Sequence, residues 1–224
     1  MTTLTAAFIG ALVGSIGSIL VEDQLRRRRE QRAQREALVR RFVFPLQDAV
    51  EALWHRLYNI GYESGRGAMT TEYRRTTTVY ALARVLAAER MANVEGVAPI
   101  LPEFYPDLAK LLTERKLSVH VSIPGLQQYD RIALAESVLE RDEQGVHPST
   151  YLAFRERYGQ GAEWLASAAA AVDRLETPKI DTLLELLGGI AHAAAEATEV
   201  DPSIVEKERK LADTRAAGGV SVSA

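Results

Sequence analysis

The first twenty-one residues carry no charged side chain, and four consecutive arginines, Arg26, Arg27, Arg28 and Arg29, follow almost at once. A chain built this way must either give that opening segment an apolar solvent or bury it. The apolar run from Leu4 to Val21 would be roughly 27 Å long as a helix. With the uncharged Met1-Thr2-Thr3 before it, the run approaches the roughly 30 Å of a hydrocarbon core. The expectation is a single transmembrane anchor over residues 1–21. The alternatives are a buried core helix or a helix lying in the membrane interface, because the run is near the short limit for a span.

The flanks orient the anchor. A removable secretory signal would carry lysine or arginine before its apolar stretch and a small-x-small cleavage site after it; here the stretch ends in Val21-Glu22-Asp23. Between Glu22 and Arg41 eight arginines stand against four acids, and positive charge beside a span stays on the cytoplasmic side. The expected address is the cytoplasmic (inner) membrane, with the N-terminus outside and everything after Val21 in the cytoplasm. Membrane lipids are then a partner, with Arg26, Arg27, Arg28 and Arg29 on anionic headgroups at about 1 kcal/mol per basic residue near the surface.

Within the anchor, Ala6, Gly10, Gly14 and Ser18 recur every four residues, and Phe8, Leu12, Ile16 and Leu20 form a second four-residue series. One side is flat and the other bulky. Lipid supplies no hydrophobic force between helices, so close backbone approach over small residues is what packs them. Ala6, Gly10, Gly14 and Ser18 are therefore an expected helix-association face, for another membrane protein or a second copy of this chain. The alternative is that glycine is simply common in membrane helices.

Charge is split along the chain. The segment from Glu22 to Arg41 carries +4, so the overall −3 leaves −7 for the remainder. An acidic body argues against nucleic acid as a partner, and the arginine run lacks the interleaved aromatics of a stacking platform. The chain has no cysteine, which excludes disulfides, thiolate metal sites and cysteine nucleophiles.

Periodicity predicts an all-α architecture: the transmembrane helix, a basic juxtamembrane helical stalk over 22–44, a multi-helix bundle over 45–200, and a charged terminal helix with a disordered tail over 201–224. The stalk has no glycine or proline before Pro45, which marks a kink or boundary. Leu46, Ala49, Val50, Leu53, Trp54, Leu57 and Ile60 then repeat at three and four residues. Gly61 to Met69 reads as a loop, with Thr70 or Thr71 capping a central helix to about Val94. Gly96 to Tyr105 is irregular, and Pro106 opens a helix to about Lys116. Leu117 to Ile123 is an extended connection ending at Pro124-Gly125. Further helices fit Gln127 to Arg141, then Ser149 to Glu176 with an interruption at Gly159-Gln160-Gly161. The next begins at Pro178, with Gly188-Gly189 as a weak point, and alanine-rich faces predict that it approaches the Ala168 to Ala171 stretch closely. Asp201-Pro202 reads as a cap and first turn of a last helix, supported by Glu206 and Lys210, and the tail begins at Ala216.

Chemistry is hard to find. His55 lies four residues after Glu51, and His192 four before Glu196, but the paired Glu-x-x-His spacing of a carboxylate-bridged metal bundle is absent. Gly61, Gly65 and Gly67 join two helices without the lysine-threonine continuation of a phosphate loop. Ser137 and Ser149 lack an elbow or base motif. No cofactor and no catalytic residue is implied. The densest grouping of aromatic and hydrogen-bonding side chains, Trp54, His55, Tyr58, Tyr73, Arg74 and Tyr80, is a candidate groove; the alternative is core aromatics whose polar tips reach the surface.

The run Trp54-His55-Arg56-Leu57-Tyr58-Asn59-Ile60, with Tyr73 and Thr77-Thr78-Val79-Tyr80-Ala81-Leu82-Ala83-Arg84, resembles a group of uncharacterised bacterial proteins with an N-terminal apolar segment and a helical cytoplasmic body. The resemblance covers a minority of the chain. It implies a helical body and carries no activity. The expected function is that of a single-pass membrane-anchored interaction or scaffold module. The rivals are a membrane-tethered enzyme or small-molecule binder using the Trp54 to Tyr80 region, and a soluble helical subunit of a larger assembly.

Overall fold

A computed structural model describes residues 22–63, 70–114, 123, 125–143, 145–160 and 163–219. The chain divides into two compact units, Met1–Arg40 and Arg41–Ala224. The expected anchor over residues 1–21, with Ala6, Gly10, Gly14 and Ser18, lies outside the described residues. Among those described, no helix is long and apolar enough to cross a membrane.

In the first unit, residues 22–38 form helix α1. Its arginine, glutamine, glutamate and alanine content favours helix, and the side chains of residues 22–37 are exposed. Ion pairs between Arg26 and Glu30 (2.9 Å) and between Arg27 and Asp23 (2.8 Å) link successive turns. Val39–Val43 forms a π-helical turn, and α2 (Phe44–Tyr62) follows with Pro45 in its first turn. Pro45 has no N–H for the carbonyl four residues back and its ring crowds that group, so a widened turn relieves the clash.

The second unit continues with α3 (Thr71–Val94), α4 (Leu101–Phe104), α5 (Pro106–Glu114), α6 (Gln128–Ser137), β1 (Leu139–Asp142), β2 (Gly145–Pro148), α7 (Tyr151–Gly159), α8 (Glu163–Asp173), α9 (Thr177–Thr198) and α10 (Val205–Gly219). Helix α2 packs against both α3 and α9, and α3 reaches on to α6, α7 and α8. The shared core is Leu46, Val50, Leu53 and Leu57 of α2, Val79, Leu82 and Leu86 of α3, and Leu183, Leu184 and Leu187 of α9, all buried. The three- and four-residue spacing in each places these side chains on one face. Thr76, Thr77 and Thr78, buried in α3, return their hydroxyls to carbonyls four residues back at 2.7–2.8 Å, so no polar group is stranded.

The body is mostly helical, as expected, but not purely so. The helix expected from Gln127 to Arg141 stops at Ser137, and Leu139–Asp142 pairs antiparallel with Gly145–Pro148, Leu139 opposite Pro148 and Asp142 opposite Gly145. Three contacts decide this. Arg157 of α7 donates to the Ser137 carbonyl and, at 2.8 Å, to Glu140 of β1. The Ser149 N–H donates to the Val138 carbonyl at 2.7 Å. Gly145 adopts φ +116°, which a side chain would strain. The Ser149 backbone is occupied, its N–H by Val138 and its carbonyl by Tyr80, its hydroxyl is buried without a partner among the described residues, and Thr150 caps α7, accepting from the Ala153 N–H at 3.3 Å.

Other expectations shift by smaller amounts. Thr70 caps α3, its hydroxyl accepting from the Tyr73 N–H at 3.2 Å. A short helix, α4, interrupts the stretch expected to be irregular. Helix α9 runs unbroken through Gly188-Gly189. Its extensive contacts are with α2 and α5 while those of α8 are with α3 and α6, so the two alanine-rich faces serve different neighbours. Helix α10 starts at Val205 and continues to Gly219, past the expected start of the tail. Of the expected extended connection Leu117 to Ile123, only Ile123 is among the described residues, and it is buried.

Buried Gln47 ties the two central helices together. Its Nε2 donates to Glu51 (2.8 Å) and to the Val200 carbonyl (3.1 Å), and its Oε1 accepts from the Thr198 hydroxyl at 2.6 Å. Thr198→Val should therefore destabilise the protein by about 1–3 kcal/mol, the cost of leaving a buried acceptor unpaired. Urea denaturation reads this, and Thr198→Ser should recover most of the loss. On the hairpin, His147 donates from Nδ1 to the Pro148 carbonyl (3.3 Å) and has Nε2 3.0 Å from Asp142. The Pro148 carbonyl first, and Asp142 after it, hold its pKa above the usual value. The charged imidazole thus stabilises the hairpin below pH about 6.5, and the effect is lost as pH rises through the folded-state pKa. An NMR titration of His147 should fall towards the ordinary value in Asp142→Asn.

Candidate functional site

The six side chains expected to form one groove go to four places. Trp54 and Tyr58 turn inwards. With Tyr62 they form a ladder along α2 at four-residue spacing, ring centroids 5.3 and 5.5 Å apart, and the Trp54 indole donates to the Leu184 carbonyl at 3.1 Å. Helix α10 lies over them. Lys207 sits 4.9 Å from the Tyr58 ring and donates to Asn59 at 3.0 Å. Glu208 reaches His192 at 2.8 Å by crossing Gly188, where an added Cβ would stand 2.5 Å from its carboxylate oxygen. Glycine in mid-helix here makes room for a carboxylate rather than weakening the helix.

His55 goes to the edge of that seam. Its Nε2 lies 3.0 Å from Ser203 Oγ, and Ser203 donates to Glu51 from both its hydroxyl (2.5 Å) and its backbone N–H (3.0 Å). Serine, histidine and glutamate are brought together, yet the wiring is not that of a nucleophile. The hydroxyl donates its hydrogen bond to Glu51, so His55 faces the serine oxygen as a donor and not as its base. The histidines find partners away from their own helices: His55 meets Ser203 and His192 meets Glu208. Among the described residues no group of three metal-ligating side chains forms. Of the glycine loop, Gly65 and Gly67 lie outside the described residues.

Tyr80 belongs to a second aromatic cluster, 5.3 Å from Tyr151 and 5.2 Å from Phe154, with its hydroxyl donating to the Ser149 carbonyl at 2.8 Å. Tyr73 and Arg74 remain outside, in the first turn of α3. The Arg56 guanidinium lies 5.5 Å from the centroid of the Tyr73 ring, which is 45% exposed. Burial first pushes the Tyr151 phenol up, Tyr73 adds to this, and Arg155 and Arg56 oppose it, which places all three beside Tyr151. Leu152, next along α7, is 64% exposed and shares a helix face with Arg155 three residues on.

Arg56, Tyr73, Tyr151 and Arg155 thus gather from α2, α3 and α7 into a cationic, aromatic surface, with exposed Leu152 next to Tyr151 along α7 and exposed Arg74 next to Tyr73 along α3. Arg74 and Arg155 are exposed and form no ion pair among the described residues; Glu72 is the nearby acid. Tyrosine and arginine are the side chains that dominate protein contact sites, since each offers a large rigid area with a polar end. Sequence reasoning found Tyr73 and Arg74 and missed Tyr151, Leu152 and Arg155. The exposed leucine beside a tyrosine in the first turn of a helix was the only local signal. Elsewhere, two shallow clefts of about 370 and 300 Å³ flank the second half of α3. Arg90, paired with Glu136 at 2.9 Å, lines both, and charges of both signs around each leave neither with a single electrostatic character.

No family model, curated protein or solved structure matches the chain.

Burial first, and Lys207 second, hold the His55 pKa below the usual value against the opposing pull of Glu51 and Glu63. A folded-state pKa below the unfolded one stabilises the native state above pH about 6.5, and this is lost as pH falls through the lowered value. Equilibrium unfolding across pH 5 to 7.5 should therefore show a shallower acid loss in His55→Gln than in the parent.

Proposed function

We propose that this chain is a single-pass, membrane-anchored cytoplasmic module that acts by protein contact. Residues 1–21 hold it in the bilayer, Arg26 to Arg29 meet anionic headgroups, and the surface around Arg56, Tyr73 and Arg155 receives the partner. Ala6, Gly10, Gly14 and Ser18 offer a face for self-association or for another membrane helix.

One observation carries the contact reading: Trp54 and Tyr58 are buried and roofed by α10, whereas Tyr73, Leu152 and Arg155 stand exposed. An enzyme or small-molecule binder at Trp54 to Tyr80 would need space there. The anchor reading is supported by the uncharged opening run and the flanking arginines, and by a helix over residues 22–38 whose side chains, arginines included, are exposed over residues 22–37.

Deleting residues 1–21 should move the protein from the membrane pellet to the supernatant on fractionation. Retention in the pellet would remove the anchor reading, and full detergent-free solubility of the intact chain would leave the soluble subunit of a larger assembly in its place. Replacing Arg26 to Arg29 together by glutamine in the deleted chain should weaken sedimentation with anionic vesicles by about 1 kcal/mol per arginine. Gly14→Leu should weaken self-association in a membrane dimerisation assay; an unchanged signal removes that claim alone.

A further inference from the structure

The surface on α2, α3 and α7 also carries information about what it receives. Resting on the contact reading above, we infer that the partner presents an acidic, amphipathic segment, with carboxylates on Arg74 and Arg155 and an apolar side chain seated against Tyr73, Tyr151 and Leu152.

Charge comes first. Outside the basic stretch from Glu22 to Arg41 the chain carries −7, yet Arg74 and Arg155 stand exposed with no ion pair among the described residues. Covering an uncompensated guanidinium is costly, so an occupant that brings no carboxylate would lose more than it gained by burying the tyrosines. Two planar arginine heads match carboxylates by paired hydrogen bonds, which a lone ammonium could not. Tyr73 and Arg74 lie in the first turn of α3, and Tyr151 and Leu152 in the first turn of α7, where the helix dipole adds to the preference for negative charge.

Apolar area comes second. Tyr73 is 45% and Leu152 64% exposed, so charge pairing alone would leave this area wet. A segment that alternates acids with a large apolar residue covers both.

Nucleic acid fits less well. A single strand needs ring faces on which bases stack in succession and a groove that tracks the phosphates. Here Arg56 sits against the Tyr73 ring, Tyr151 is set at 63° against Tyr80, and Glu72 stands beside the phenol of Tyr151.

The test uses the full-length chain in nanodiscs of uncharged phosphatidylcholine. The probes are a fluorescein-labelled amphipathic peptide of glutamate and leucine, the same peptide with glutamine for glutamate, and an oligothymidylate of equal length, each followed by anisotropy. The acidic peptide should bind saturably, with the glutamine form at least about tenfold weaker. Arg74→Glu with Arg155→Glu should weaken the acidic peptide at least about tenfold with an unchanged far-ultraviolet spectrum, and Leu152→Ser should weaken it several-fold. Equal binding of the glutamine peptide, an unaffected arginine double variant, absence of saturable binding, or oligothymidylate binding as tightly as the peptide would each overturn the inference. Photo-crosslinking from a benzoylphenylalanine at position 152, on membranes, separates this from the parent reading. Adducts only to segments without acidic residues sink the acidic partner alone, whereas no protein adduct sinks the contact reading itself.

Discussion

Helix α2 is the member against which the rest of the body is organised. Its large apolar residues recur at three and four positions, so Leu46, Val50, Leu53 and Leu57 pass between two long neighbours, α3 and α9, and are lost from solvent. Each such side chain contributes about 1.5–3 kcal/mol on burial, but that attraction has no direction. Register comes from the polar groups at the seam. The Trp54 indole must meet the Leu184 carbonyl, and Gln47 must meet Thr198, because any slide or rotation would leave them unpaired away from water.

The last helix is held by other means. Leu211 is its one buried apolar side chain among the residues whose burial is described, with Ile204 buried in the turn just before it. The rest of its attachment is polar: Ser203 to Glu51 and His55, Lys207 to Asn59, Glu208 to His192, and Arg215 to Asp181 at 2.6 Å. An element fastened this way opens at lower free energy than the three-helix core beneath it. It nevertheless turns Trp54 and Tyr58 from groove lining into interior. The same attachment explains why a serine, a histidine and a glutamate gathered in one place do not form a nucleophile: the carboxylate accepts the hydrogen bond from the serine hydroxyl, which leaves the imidazole as a donor to that oxygen.

How far the chain could be read in advance follows from the range of the forces involved. The span of α3 from its threonine cap to Val94, the break near Gly159, and the Glu206 to Lys210 pair all rest on residues within four positions of one another, and these stood in the sequence. The hairpin did not. Its strands have four residues each, too few for alternation to register, and the end of α6 is decided by Arg157 reaching back from α7. The six groove residues show the same division. Spacing along α2 gathers Trp54 and Tyr58 correctly, but their fate depends on α10, and the neighbours of Tyr73 come from both α2 and α7.

The sequence by itself determined the helical character, the positions of most helix ends, the acidic body and the uncharged opening run beside its arginines, because each is a property of composition or of neighbours along the chain. Only the tertiary structure decided which aromatic residues are interior and which exposed, that His55 donates to a serine oxygen rather than accepting its proton, and that Arg56, Tyr73 and Arg155 share a surface. Those outcomes depend on contacts between segments far apart in the chain, where burial and the pairing of polar groups are set by all the packed helices together.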